Sequence, residues 1–332
     1  RTHGQHAVPI TFGFAIAQYV DRLGGLLELL ICLTNLPGKF SGACGAYNAL
    51  SLVVDDPEKF EAEVLIELGL HPARISTQIV PPEETLKLFS HLRLITGVMA
   101  NLADDMRGLQ RTEIAEVSEL FGANQVGSST MPQKRNPINF EKVKSLWKVV
   151  FGKLDTMYLD QISEHQRDLT NSASSRTYGE VIGYVVTMTK SLTKAVTNLE
   201  IDSAKMESNL RIQGDLILAE PLYIVLSSLG HPDAHEAVRV LAQRARLPAP
   251  AVADNGGQAL DEKLSLSKLI MEYPILKKYT DKMTEKQKLI LSDPKNYTGI
   301  AQEKAESVAK YWRDALTLFK TYDFTPAKDA VD

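Results

Sequence analysis

The sequence predicts an all-α chain built as a bundle of long helices, with a smaller helical domain at its C-terminal end. Three observations carry this. Between Thr85 and Leu120, apolar residues fall at Leu88, Leu92, Ile95, Met99, Leu102, Met106 and Leu109, steps of three and four that put one stripe along a helix face. Similar stretches carry Val143, Trp147, Val150, Leu154, Met157 and Ile162, then run from Tyr178 to Leu199 and from Met206 to Leu229. Each spans roughly 25 to 35 residues, about 40–50 Å of helix at 1.5 Å per residue. Convincing alternating strands are absent. A lone helix of that length leaves its stripe in water, so several of them pack as a bundle. A strict heptad does not persist, which argues against a coiled coil.

Between these stretches lie three segments of different composition: Pro37 to Ala46 (PGKFSGACGA), Ala123 to Pro137 (ANQVGSSTMPQKRNP) and His165 to Arg176 (HQRDLTNSASSR). Beyond His231-Pro232 the helices are expected to be shorter, broken at Pro248, Pro250 and Gly256-Gly257. A domain boundary is therefore expected near residue 231, with a bundle domain over 1–231 and a small helical domain over 232–332.

Composition narrows the function classes. With Lys+Arg 37 against Asp+Glu 41, the net charge is −4, and no basic surplus exists to displace counterions from a nucleic acid. The most apolar run, around Leu26 to Leu33, is interrupted by Glu28 and too short to span a bilayer. Two cysteines, Cys32 and Cys44, make neither a disulfide framework nor a CxxC site, which fits a reducing cytoplasm. The chain opens on Arg1-Thr2-His3 without an initiator methionine or signal-type segment, and is expected to begin partway through a longer protein.

The chemistry concentrates in Gly127-Ser128-Ser129-Thr130-Met131-Pro132-Gln133-Lys134-Arg135-Asn136-Pro137, loop 127–137. Gly and two Pro residues hold it out of regular helix. Hydroxyls, two cations and an amide suit an anion such as a carboxylate, with backbone N–H groups adding donors. Taken as residues alone, a polar inter-helix connection is the better explanation of the loop. The string matches the GSSxMPxKxNP signature, however, and so resembles the fumarase/aspartase/argininosuccinate lyase superfamily. Arg1-Thr2-His3-Gly4-Gln5-His6-Ala7, with Pro9 and Gly13, resembles the superfamily segment that supplies a catalytic histidine. The resemblance implies that His3 is catalytic, with Thr2 at the substrate and His6 behind it.

Other segments resemble the adenylosuccinate lyase family in particular. Gly38 to Ala49 (GKFSGACGAYNA) looks like its GKxxGAxGxYNA stretch, and Ser76-Thr77-Gln78-Ile79 like its (S/T)TQ segment, where Gln78 would bind substrate. After Ile79 the chain departs from relatives in reading Val80-Pro81-Pro82-Glu83. Gln166-Arg167-Asp168-Leu169-Thr170-Asn171-Ser172, with Arg176 four residues on, is similar to QRDLTxSxxxR, whose Arg and Ser groups hold the nucleotide. A nucleotide monophosphate asks for a guanidinium and hydroxyl donors. If Ser172 starts a helix, Arg176 lies one turn along on the same face. Leu218-Ala219-Glu220-Pro221 and Asp293 to Gly299 (DPKNYTG) extend the likeness towards the C-terminus. The family's N-terminal domain, with a further active-site histidine, is not in these residues.

The resemblance implies β-elimination of fumarate from a succinylated nucleotide, with no cofactor and no metal. Ser128 would take the proton beside a carboxylate. Lys134 and Asn136 would stabilise the carbanion, His3 would protonate the departing nitrogen, and Glu141 would orient the histidine. Ser129, Met131, Arg167, Ser172 and Arg176 would contact substrate. It further implies a homotetramer with shared active sites and no nucleic-acid or membrane partner. The alternatives are a sister lyase acting on argininosuccinate or aspartate, and a non-catalytic scaffold of the same fold. His231 and His235, four apart around Asp233, have metal-like spacing but no evident third ligand, and read as a helix start. Asp104-Asp105 reads as surface charge on a long helix.

Overall fold

The computed structural model describes residues 1–120, 131, 134–246 and 265–319. In chain order its elements are α1 (Phe12–Leu33), β1 (Pro37–Gly38), α2 (Pro57–Glu67), β2 (His71–Pro72), α3 (Glu83–Leu109), β3 (Val117–Glu119), α4 (Ile138–Tyr158), α5 (Tyr178–Thr197) and β4 (Leu199–Ile201). There follow α6 (Ser203–Leu210), α7 (Ala219–Ser228), α8 (Ala234–Arg246), α9 (Leu266–Glu272), α10 (Lys277–Thr280), α11 (Glu285–Ser292) and α12 (Ala301–Phe319). β1 pairs in parallel with β2, and β3 pairs antiparallel with β4. The fold is all-α, as the periodicity predicts. Among the described residues no helix is long and apolar enough to cross a membrane.

Contacts cluster in two compact units, Ala17–Ile201 with Val308–Asp332, and Arg1–Ile16 with Asp202–Ser307. Residue 231, where composition shifts, falls inside the second of these.

In the larger unit α4 packs on both α3 and α5. The shared core takes Leu86, Phe89, Leu92, Met99, Leu102 and Met106 from α3. Phe140, Val143, Val150, Leu154 and Met157 come from α4, and Val181, Met188 and Leu192 from α5. Charged groups clip the helices along their edges. Arg93 pairs with Asp155 at 2.8 Å while its guanidinium lies 3.7 Å from the Phe151 ring centre, and Lys153 reaches Glu180 at 2.8 Å. The two aspartates read as surface charge do lie at the surface, but each has a partner on another element. Asp104 binds both Arg107 and Lys144, joining α3 to α4, and Asp105 accepts the Tyr19 hydroxyl from α1. The buried His91 donates through Nε2 to the Leu26 carbonyl at 2.6 Å, another tie between α3 and α1. Gly24 is required by close approach, since a Cβ there would stand 2.3 Å from the Trp312 ring.

Three boundaries differ from expectation. α3 ends at Leu109 rather than reaching Leu120, because the chain turns at Gln110 and enters β3. The stretch from Met206 to Leu229 is broken into α6 and α7 at Gly214, whose φ of 62° a helix does not tolerate. The C-terminal part is not made of short helices alone, since α12 runs 19 residues.

In the smaller unit α7, α8 and α9 enclose Leu218, Leu222, Leu226, Val238, Leu241, Leu266 and Ile270. His231 and His235 do not converge. The His231 ring packs on Tyr279 and that of His235 on Tyr223, while Asp233 Oδ1 accepts from Glu236 N at 3.3 Å as a helix cap. Tyr297 donates to Glu220 at 3.4 Å, which joins the two family-like C-terminal stretches.

Asp215 ties α9 into this core by accepting from Leu266 N at 2.9 Å, Ser267 N at 2.7 Å and Ser265 Oγ at 2.8 Å. Burial alone would raise its pKa, but these donors outweigh it and the net shift is downward from 3.8. A depressed folded value makes the linked stability complete above the ordinary aspartate pKa and lost as pH falls through the folded one. Asp215→Asn is therefore expected to lower the melting temperature near pH ~7 and to shrink the further loss seen below pH ~4. Melting curves across that range check this; an acid limb identical to wild type refutes it.

Candidate active site

Segments 37–49 and 165–176 owe their shapes to the buried carboxylates of Glu61 and Asp160, and the N-terminal turn to two positive-φ residues. At the N-terminus, Thr2 and Gln5 exchange backbone hydrogen bonds at 2.9 and 2.8 Å, with His3 at φ 52° and Gly4 at φ 74° between them. Two successive positive φ values make a tight primed turn, with the exposed His3 at its tip. A histidine in that region is uncommon and stands there at some conformational cost.

Segment 37–49 folds around Glu61 of α2, which is 2% exposed. Its carboxylate accepts from Phe40 N and, at 2.5 Å, from the Tyr47 hydroxyl. Burial and that carboxylate push the Tyr47 phenol up to about 12. Ser41 Oγ lies 2.9 Å from Ser76 Oγ, and Gly45, at φ 81°, passes so close to the Ser76 carbonyl that a Cβ would come within 2.2 Å. Segment 37–49 is thus pressed on the segment carrying Gln78. From there Gln78 N donates to the Gln166 carbonyl at 3.3 Å. Three stretches far apart in sequence meet in one chain of contacts.

Segment 165–176 has its own clamps. Asp168 accepts from Glu164 N at 2.8 Å, Thr170 N at 3.0 Å and Thr170 Oγ1 at 2.6 Å, and these bonds hold its carboxyl below the usual range. Asp160, 6% exposed, accepts from Ser174 Oγ at 2.5 Å and from the Tyr178 hydroxyl at 2.8 Å. Burial and this bond push the Tyr178 phenol up. The expected helix start at Ser172 is corrected: Ser174–Thr177 form a 3-10 turn before α5, because Asp160 draws Ser174 inward. Ser175 N still donates to the Asn171 carbonyl, so the chain is already wound at Ser172. Arg167 and Arg176 are exposed, and Ser172 is half-buried beside them in sequence.

Ser128 and Ser129 lie outside the described residues. Lys134 N donates to the Met131 carbonyl at 3.0 Å, and Lys134 and Met131 are exposed. Asn136 is half-buried just before α4, and Glu141 is exposed on the helix's first turn. Lys134, Asn136 and Glu141 thus share one short stretch, and Gln78 is tied by its backbone to the segment that carries Arg167, Ser172 and Arg176. Thr2 and His3 belong to the smaller unit.

Sequence reasoning did not find Glu61, Asp160 or Glu119. Glu119, 3% exposed, accepts from Asn139 N at 3.0 Å, Asn139 Nδ2 at 2.7 Å and Phe140 N at 2.9 Å. A signal for Glu119 did exist. Pro137 stands at the N-cap of α4 and offers no side-chain acceptor, so the helix's first N–H groups need one from elsewhere.

Comparison with known proteins bears on this arrangement. The family model described as "Lyase" matches residues 1–152, and that described as "Adenylosuccinate lyase C-terminal" matches residues 163–255. The chain is 38% identical over 319 residues to an adenylosuccinate lyase of Pyrococcus horikoshii, covering 94% of this chain and 66% of that protein. It is 34% identical over 326 residues to that of Archaeoglobus fulgidus, covering 95% and 68%. The chain belongs to the adenylosuccinate lyase family. It spans about two thirds of the length of these curated relatives. Among solved structures, the 3-carboxy-cis,cis-muconate lactonizing enzyme of Pseudomonas putida superposes with a TM-score of 0.77 at 26% identity, covering 95% of this chain and 66% of that one.

Proposed function

We propose that the protein is an adenylosuccinate lyase, eliminating fumarate from adenylosuccinate to give AMP and from the succinylated aminoimidazole carboxamide nucleotide of purine biosynthesis. The observation that carries this reading is the Gln78 N to Gln166 O hydrogen bond, which holds the STQ segment against the QRDLTNS segment with Arg167, Ser172 and Arg176. Guanidinium and hydroxyl donors gathered there suit the phosphate of a nucleotide, and Gln78 suits the succinyl end.

In this reading Ser128 removes the proton from the succinyl Cβ. The electron pair left behind delocalises into the adjacent carboxylate, and Lys134 and Asn136 bear the second negative charge. The C–N bond then breaks, and His3 gives its proton to the departing amino nitrogen while Glu141 holds the imidazole. Thr2, Ser129 and Met131 contact the substrate. A serine hydroxyl is a poor base in water, so water must be excluded from around Ser128 before the proton moves.

A homotetramer with shared sites fits the apolar side chains that the long helices turn outward, Leu94, Phe151 and Val186 among them. Exposed thiols at Cys32 and Cys44 fit a reducing cytoplasm. The test is fumarate release by the full-length protein from adenylosuccinate, argininosuccinate and aspartate in parallel. Turnover of adenylosuccinate alone is expected. Turnover of another substrate instead overturns the role of the Arg167 segment, and silence on all three from a folded oligomer favours a scaffold.

A further inference from the structure

Glu119 ends β3, ahead of the signature loop, and its side chain binds the helix that follows the loop. Its carboxylate takes the backbone N–H of Asn139 and Phe140 and the Asn139 side-chain amide, closing a span of 20 residues. Those N–H groups open α4, whose N-cap Pro137 supplies no acceptor of its own. The neighbouring contacts converge on the same point. Gln110 Oε1 accepts from Glu119 N at 3.2 Å while its Nε2 donates to the Arg135 carbonyl at 3.1 Å. Leu120 N donates to the Asn198 carbonyl, and Glu200 of β4 accepts from Ser118 at 3.1 Å and pairs with Arg135 at 3.7 Å. Arg135 and Glu200 are both more than half exposed, so their pair contributes little. Glu119 is buried and accepts three donors, so it is the principal tie.

We infer that Glu119 is a positioning residue that staples the end of β3 to the first turn of α4 and thereby fixes Lys134 and Asn136, which lead into that helix. This rests on the reading of those two residues as the carbanion's partners. A side chain acting this way supports groups that matter most in the transition state, so its loss should lower kcat more than it raises KM. A cap that only stabilises α4 would instead reduce the amount of folded enzyme and leave both constants of the folded fraction unchanged.

Glu119→Gln keeps the shape and one acceptor oxygen, but puts an amide donor where Oε2 accepts from the Asn139 side chain and its N–H, and removes the charge that strengthens the remaining bonds. Two arms read it in the full-length protein. The first is tryptic cleavage after Lys134 and Arg135 under native conditions, which is expected to quicken about tenfold while cleavage elsewhere and the melting transition stay near wild type. The second is steady-state kinetics on adenylosuccinate, where kcat is expected to fall about 10- to 100-fold with KM changed less than about threefold. Gln110→Ala is the milder second variant should Glu119→Gln fold poorly, and must shift both readouts the same way. Unchanged cleavage at the loop exit, or cleavage rising equally throughout the chain, overturns the staple. Quicker cleavage with kcat and KM both at wild-type values overturns the positioning role. A wild-type protein inert on adenylosuccinate sinks the proposed activity separately, and the cleavage arm still decides the staple.

Discussion

Replacing His3 by asparagine is expected to lower turnover of adenylosuccinate by about 10²- to 10⁴-fold, the usual contribution of a positioned general acid, while leaving the fold as stable as wild type. The choice of asparagine follows from the backbone. His3 stands at φ 52° and Gly4 at φ 74°, the two central positions of a primed turn closed by Thr2 and Gln5. Asn-Gly is a favoured pair for that turn, so His3→Asn removes the imidazole and eases the conformation together. His3→Val removes the same imidazole but puts a β-branched residue where φ is positive, and should loosen the turn as well. If the histidine serves as the acid, both variants lose turnover to a similar extent. Turnover that survives in His3→Asn and fails only in His3→Val would mean that the turn's shape matters and the imidazole does not.

The bundle was legible because α3, α4 and α5 each carry one long apolar stripe. Met99, Leu102 and Met106, or Val150, Leu154 and Met157, are buried where the period puts them. The ends were not legible for the same reason. Val117 lies near where a continued α3 would bury a residue and is buried, but in β3, because apolar burial does not record whether the backbone has turned. Leu216 to Leu218 likewise read as helix straight through Gly214, whose positive φ only the structure displays.

Legibility of the candidate site divides along another line. Short strings such as QRDLTNS and GSSTMPQKRNP hold their chemistry in adjacent residues, so sequence exposes them. Their supports lie elsewhere in the chain. Glu61 sits in PEKFEAEVLIE, where it looks like any solvated helix acid, yet it binds Phe40 and Tyr47 from residues 21 and 14 away. Asp160 follows a helix end and looks equally ordinary, but it fixes Ser174 and Tyr178. Such carboxylates become recognisable only once burial is known, because a buried acid has to be matched by donors.

Ser128→Ala is expected to have the largest effect of any single change, lowering kcat by at least about 10³-fold with little change in substrate affinity. In the proposed mechanism substrate binding falls to Gln78 and the Arg167 to Arg176 segment, which Ser41–Ser76, Gln78–Gln166 and Asp160–Ser174 contacts hold in shape. In the same mechanism carbanion stabilisation falls to Lys134 and Asn136, just before the α4 N-terminus that Glu119 binds. Neither set removes the Cβ proton, so a variant lacking only the hydroxyl should bind adenylosuccinate and stall before elimination. Calorimetric titration of Ser128→Ala with adenylosuccinate, beside single-turnover fumarate release, separates the two quantities. Binding and chemistry lost in equal measure would make Ser128 a substrate contact rather than the base. A variant that binds normally and releases no fumarate would hold its substrate intact, with every partner except the base still in position.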